Sequence, residues 1–449
     1  MGASAQDIAD ATPATRDRYV DLLRVASLGT VIAGHWLMAA VSGDGIGNLL
    51  AVVPPLQVLT WALQVMPVFF FVGGFSHALS YRSLARRTDG PVYAAFLRAR
   101  LRRLLRPTLV FVAVWTAVAL TAQLLGGGGG RLSGAAFRLV TQPLWFIGIY
   151  LAMVALTPPL LTLHERYGWA AFGALAAAAA AVDLLRFAGG VPYAEFLNFA
   201  FVWLAVHQLG FLRATGPGRG QLRRPGALAA AGLAGAVLLV AYGPYPLSMV
   251  GMPGEKVSNM APPTLALLAH GIWLVGAVEL LRAPAAGWLA RPRVWRGVVA
   301  ANGVAMTAFL WHLTAMLAVY AAQLGLGFAL PEPAGAAWWA QVPVRFLAAA
   351  ALTCVLVAVF RRFEAPAGST AHPGAGAGPG SGPRAALGTA LCLLGVLGLS
   401  TTGLGGLLEG HSATLIALPV TAPAAIGMAL GGWLLVERSG TSRRVRLRG

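Results

Sequence analysis

Apolar residues dominate the chain in runs of about 20, the length that crosses roughly 30 Å of hydrocarbon, and short polar stretches separate one run from the next. Followed from the N-terminus, the pattern predicts twelve membrane helices, at about 21–42, 56–80, 107–125, 142–163, 169–187, 195–212, 227–247, 262–281, 297–325, 341–360, 385–408 and 412–436. The fold class expected is all-α, a polytopic transmembrane helical bundle. The first run carries Arg24 at its start and His35 in its middle. Both are wrong for the apolar stretch of a cleaved signal peptide, so the run reads as a retained helix.

Composition agrees with the pattern. Of 449 residues, 57% are hydrophobic and 11% charged, against about 25% charged in a soluble domain. The chain lacks the polar surface to face water all round, and the lipid bilayer is its expected environment. A net charge of +18 would suggest nucleic acid in a soluble protein. Here, with the N-terminal side taken as inner, 28 of the 33 Lys and Arg residues fall in inner segments. This is the positive-inside asymmetry. It predicts a multi-pass protein of the cytoplasmic membrane with both termini cytoplasmic, and no nucleic-acid partner is expected. Cys354 and Cys392 both lie in apolar runs without ligand spacing, so no metal site is expected.

Residues 365–384, APAGSTAHPGAGAGPGSGPR, cannot bury a core and read as a flexible linker. They divide the chain into a ten-helix portion (1–364), a C-terminal helix pair (385–436) and a basic cytoplasmic tail (437–449).

Ionisable groups inside a membrane are costly and mark functional candidates. In RYVDLLRVASLGTVIAGHWLM, Arg24 and His35 are eleven residues apart. That is about 20° of rotation after three helical turns, with a rise of roughly 16 Å. Asp21 lies on the same stripe. The expected picture is an Asp–Arg pair at the cytoplasmic mouth with an imidazole deep above it; a snorkelling Arg and a structural His are the plainer alternative. His312, next to Trp311, is a second intramembrane imidazole: a second base, an orienting partner or a packed core residue. Gly73 and Gly74 permit either close helix packing or a break that lines a cavity. Arg103 and Arg106 lie in a basic stretch that would rest on anionic lipid or clamp phosphates bidentately. Trp145 is placed near the outer interface.

Taken together these segments resemble the acyltransferase-3 family of integral membrane acyltransferases. The resemblance rests on Arg24 followed after ten residues by His35 and introduced by YVDLLR, on PVFFFVGGF for the family's P-x-FFF-x-SGF, and on RRLLRP, PLWFI and AFLWHLTAML in the family's order. It covers the ten-helix portion, and Gly73 stands where the family usually has Ser. The resemblance implies that an acyl group, often acetyl, passes from cytoplasmic acyl-CoA (acetyl-CoA) to a hydroxyl of a glycan, an envelope sugar or a secondary metabolite. Acyl-CoA is then a co-substrate, and no cofactor is expected to be tightly bound. His35 and His312 become catalytic candidates, and Asp21, Arg24, Arg103 and Arg106 the donor-binding ones. Gly73, Gly74, Trp145 and Trp311 are expected to line the cavity. Burial favours the uncharged ring, the form needed by a general base on the acceptor hydroxyl or by an acyl-carrying nucleophile. A twelve-helix secondary transporter or flippase is the alternative, disfavoured because no second copy of the first-helix pattern recurs.

Overall fold

In a bilayer no water receives backbone N–H and C=O groups, so an apolar run must satisfy them within itself, which a helix does. The structure, a computed structural model, follows that rule along most of the chain. It describes residues 5–13, 16–42, 45–126, 131–215, 222, 224–252, 254–364 and 381–439. Most of the expected linker and of the basic tail lies outside the described residues.

Among the described residues, nine helices are long and apolar enough to cross a membrane: Pro54–Ala85, Tyr93–Leu124, Ser133–Tyr167, Trp169–Phe187, Ala194–Ala214, Pro225–Tyr242, Ala305–Gly325, Ala336–Phe363 and Gly382–Thr402. Leu265–Leu280 and Arg282–Leu289 meet at 50° and make a tenth if taken as one bent span. Two of the twelve expected spans fall outside this set. Arg18–Met38 is a continuous helix of 21 residues, but it carries Arg18, Asp21, Arg24 and His35. Ala422–Arg438 has only 17 residues.

Three expected boundaries are corrected. Residues 412–421 are an antiparallel hairpin, Ser412–Leu415 with Leu418–Thr421, because Thr414, Val420 and Thr421 favour extended backbone and Pro419 suits an edge strand. The expected span 297–325 is broken between the helices Pro292–Asn302 and Ala305–Gly325, where Gly303 ends the first of them. The third expected span begins earlier than read: the basic stretch is continuous with it in one helix, Tyr93–Leu124. Thirty-two residues span about 48 Å, longer than the hydrocarbon, so the arginine-rich first turns need not enter it.

The chain divides into two compact units, Met1–Ser76 with Leu161–Val359, and His77–Leu160 with Phe360–Gly449. In the first unit, helices meet through small residues, the usual membrane solution. A Cβ on Gly232 would lie 2.3 Å from the backbone N of Trp273, and one on Gly276 would lie 2.4 Å from that of Ala229. These positions lock Pro225–Tyr242 against Leu265–Leu280. In the second unit the same device joins Gly382–Thr402 to Ala422–Arg438, through Gly388 against Gly432 and Gly395 against Ala425 and Ala429. A bidentate ion pair from Arg102 to Glu437 ties Ala422–Arg438 to the helix Tyr93–Leu124.

Candidate active site

The first long helix, Arg18–Met38, begins where Asp17 caps it, Oδ1 accepting from the backbone N–H of Val20 at 3.3 Å. The carboxylate of Asp17 also accepts from Arg282 (2.8 Å) and Arg213 (3.3 Å), and Glu279 accepts from the same two guanidiniums at 2.9 and 3.3 Å. Two acids and two bases form a closed, charge-balanced ring. It fastens the N-terminal end of the first helix to Asn198–Ala214 and Leu265–Leu280. Tyr19 completes the fastening: its hydroxyl donates to the carbonyl of Val278 and its ring lies under Arg282, 4.9 Å from the guanidinium.

One turn further along, the balance changes. Asp21, 6% exposed, accepts from Arg16 Nε at 2.6 Å and from Arg24 Nη1 at 3.2 Å. Arg24 also donates through Nη2 to Ser76 Oγ at 2.7 Å, and Asn302 donates to the Asp21 carbonyl at 3.1 Å. Arg18 lies 4.9 Å from the Trp295 ring. Arg16 and Arg24 thus share the carboxylate of Asp21. The helix is unbroken from Arg18 to Met38, so the expected shared stripe holds, with His35 about three turns, roughly 16 Å, beyond Arg24.

His35 meets His312 there. His35 Nδ1 lies 2.7 Å from His312 Nε2, and His312 Nδ1 lies 2.5 Å from the carbonyl oxygen of Phe309. The rings are nearly parallel, at 11°, with centroids 5.0 Å apart. That is the geometry of rings meeting edge to edge through their nitrogens, not of stacked faces. A carbonyl oxygen only accepts, so His312 Nδ1 carries a hydrogen. In the neutral ring His312 Nε2 is then bare and accepts from His35 Nδ1–H. His35 Nε2 is left with its lone pair and no hydrogen-bond partner among the described residues. Trp36, the next residue, donates its indole N–H to the carbonyl of His312 at 3.0 Å. It ties the two helices together a second time, beside the imidazole pair.

Several of the residues expected in the site have other surroundings. Gly74 is at a helix crossing: a Cβ there would lie 2.0 Å from the carbonyl oxygen of His207. Close packing is thus the option realised at Gly74, and Gly73 is buried in the same helix. Trp311 is buried beside His312. Arg103, Arg106 and Trp145 belong to the second unit, where Arg103 is exposed and Arg106 and Trp145 are half-buried. Three participants escaped the sequence reading: Ser76, Asn302 and Trp36. Trp36 alone had a signal, its adjacency to His35. Ser76 and Asn302 are ordinary polar residues that only the tertiary contact singles out.

A multi-helix membrane protein with Arg24 and His35 on one stripe of its first long helix, and with His35 hydrogen-bonded to His312 of another helix, is the class that fold and site define. The chain belongs to the acyltransferase-3 family: a family model described as an acyltransferase domain matches residues 17–362. The protein is therefore a membrane acyltransferase, and the transporter alternative gives way. The match ends before the last two helices, Gly382–Thr402 and Ala422–Arg438. No curated protein and no solved structure matches the chain significantly.

Proposed function

We propose that the enzyme takes an acyl group, acetyl in the simplest case, from acyl-CoA on the cytoplasmic side and transfers it to a hydroxyl of a glycan, an envelope sugar or a secondary metabolite. The observation that carries this reading is the relay Phe309 carbonyl, His312, His35, which leaves one imidazole nitrogen bare and aimed by its neighbour. His35 Nε2 accepts the proton of the acceptor hydroxyl as the oxygen bonds to the acyl carbon. The C–S bond then breaks, and the thiolate leaves as CoA-SH with that proton. The base role is favoured over acyl carriage because His312 is positioned to steady the imidazolium formed at His35, much as a second residue orients the base in other acyl-transfer sites. Arg24, held by Asp21 and Ser76, supplies a guanidinium for donor phosphate, a match of fork to oxyanion. Arg103 and Arg106 are further donor-binding candidates. The bilayer assumed is the cytoplasmic membrane, crossed twelve times with both termini inside.

The reading is tested by following CoA release and label transfer from acetyl-CoA in membranes that contain the full chain. Arg24→Ala is expected to raise the KM for acetyl-CoA by roughly 10- to 100-fold, the loss of a hydrogen bond to a charged group, with kcat changed less. An unaltered donor KM would remove Arg24 from donor binding. Membranes that release no CoA in the presence of a hydroxyl acceptor extract would refute the donor.

A further inference from the structure

Arg345 lies ten positions into the helix Ala336–Phe360 and is 9% exposed. A snorkelling arginine would be open at its head, and this one is enclosed by protein. Nη2 donates to Gln341 Oε1 and Nη1 to the Tyr320 hydroxyl, at 3.4 Å. Nε is buried and has no hydrogen-bond partner among the described residues. No carboxylate pairs with the guanidinium among the described residues; besides the oxygens of Gln341 and Tyr320 it meets the ring faces of Tyr320 at 5.0 Å and Trp338 at 6.0 Å. A cation this deep in a membrane protein is costly unless an anion or water compensates it, and among the described residues no carboxylate does so.

The space beside Arg345 is a crevice lined by Trp36, Met316, Val319, Tyr320, Arg345 and Phe346, with a volume of about 10 Å3, room for one water or one ligand oxygen. Trp36 forms one wall, follows His35 in the chain and donates to the carbonyl of His312. Tyr320 is two turns beyond His312 on the same helix, and its hydroxyl reaches the carbonyl of Ala39 at 3.4 Å. Arg345 and Trp36 thus line one crevice, and Trp36 is bonded to the carbonyl of His312; along the first helix Trp36 lies beyond His35, away from Arg24. The donor's phosphates, taken to lie at Arg24, do not account for it.

We propose that Arg345, with Tyr320 and Trp36, is the subsite for an acidic group of the acceptor: the substrate is an anionic hydroxyl compound whose carboxylate or phosphate oxygen pairs with Arg345 while its hydroxyl meets His35. The inference rests on the acyl-transfer reading and names its acceptor class. Guanidinium recognises both oxyanions, and the crevice has room for one oxygen of either.

Three probes of one ring type separate the possibilities: methyl β-D-glucuronide, glucose 6-phosphate and neutral methyl β-D-glucoside. Each is titrated against the purified full chain, with thermal stabilisation as the readout. One charged probe is expected to stabilise the wild type at concentrations where the glucoside does not, and the effective one distinguishes carboxylate from phosphate. Arg345→Met should bind that probe roughly 10- to 100-fold more weakly, and Arg345→Lys should retain part of the affinity. With no ligand, Arg345→Met should melt no lower than wild type, because a costly buried charge has been removed; this also certifies its fold. The proposal is overturned if neither charged probe outperforms the glucoside, or if Arg345→Met binds the preferred probe as wild type does. Acetyl-CoA turnover is read in parallel. Turnover without acid preference sinks this inference alone, whereas acid binding without turnover sinks the acyl-transfer reading.

Discussion

Replacing His35 by alanine is expected to lower acyl transfer by roughly 10²- to 10⁴-fold, the contribution of a positioned general base, while leaving the KM for acetyl-CoA close to wild type. The expectation follows from the order of hydrogen bonds. The Phe309 carbonyl fixes the tautomer of His312, His312 fixes that of His35, and only His35 is left with a free lone pair. His312→Ala should cost less, on the order of 10- to 100-fold, the usual range for a partner that orients a reacting group. Because the two rings act as one unit, their losses should not add: the double variant should be no slower than His35→Ala alone. Rates from label transfer in the four forms check this directly. Multiplicative losses would mean that the histidines act independently and that the relay is only a packing contact.

The helical periodicity of the first helix carried much of the site's layout. A separation of eleven residues puts Arg24 and His35 on one stripe in any unbroken helix, and the helix is unbroken. What periodicity does not carry is the partner of each group. His312 was visible as an intramembrane imidazole, but an orienting role and a core role looked alike until His35 was found in hydrogen-bond reach. The Arg24–Ser76 bond and the Asp17, Arg213, Glu279, Arg282 ring join helices distant in sequence, and no local pattern announces them. Arg345 shows the opposite difficulty. In the sequence it is one of five basic residues off the inner side, indistinguishable from an interfacial anchor, and only its enclosure reveals otherwise. The hairpin at 412–421 was misread because short apolar segments with β-branched residues serve strand and helix alike.

Gly74→Val is expected to abolish accumulation of the folded protein, and Gly74→Ala to lower its stability by more than the 1–3 kcal/mol typical of overpacking. The obstruction is backbone, which cannot rotate aside. A Cβ on Gly74 would sit 2.0 Å from the carbonyl oxygen of His207, and one on Gly210 would sit 2.2 Å from that of Phe71. The two glycines face each other, so Gly210→Ala should behave alike. Gly431→Ala, where a new Cβ meets nothing within 4 Å, is the control and should change stability by about 0.5 kcal/mol or less. Melting of the detergent-purified variants checks the ranking, and equal melting of Gly74→Ala and Gly431→Ala would show that the crossing is slack. The consequence extends to chemistry, because Ser76 lies two residues beyond Gly74 on the same helix and accepts from Arg24. A methyl group that forces this helix away from Asn198–Ala214 draws Ser76 off the guanidinium. Whatever fraction of Gly74→Ala survives purification should therefore bind acetyl-CoA more weakly than wild type, while Gly431→Ala binds it equally well.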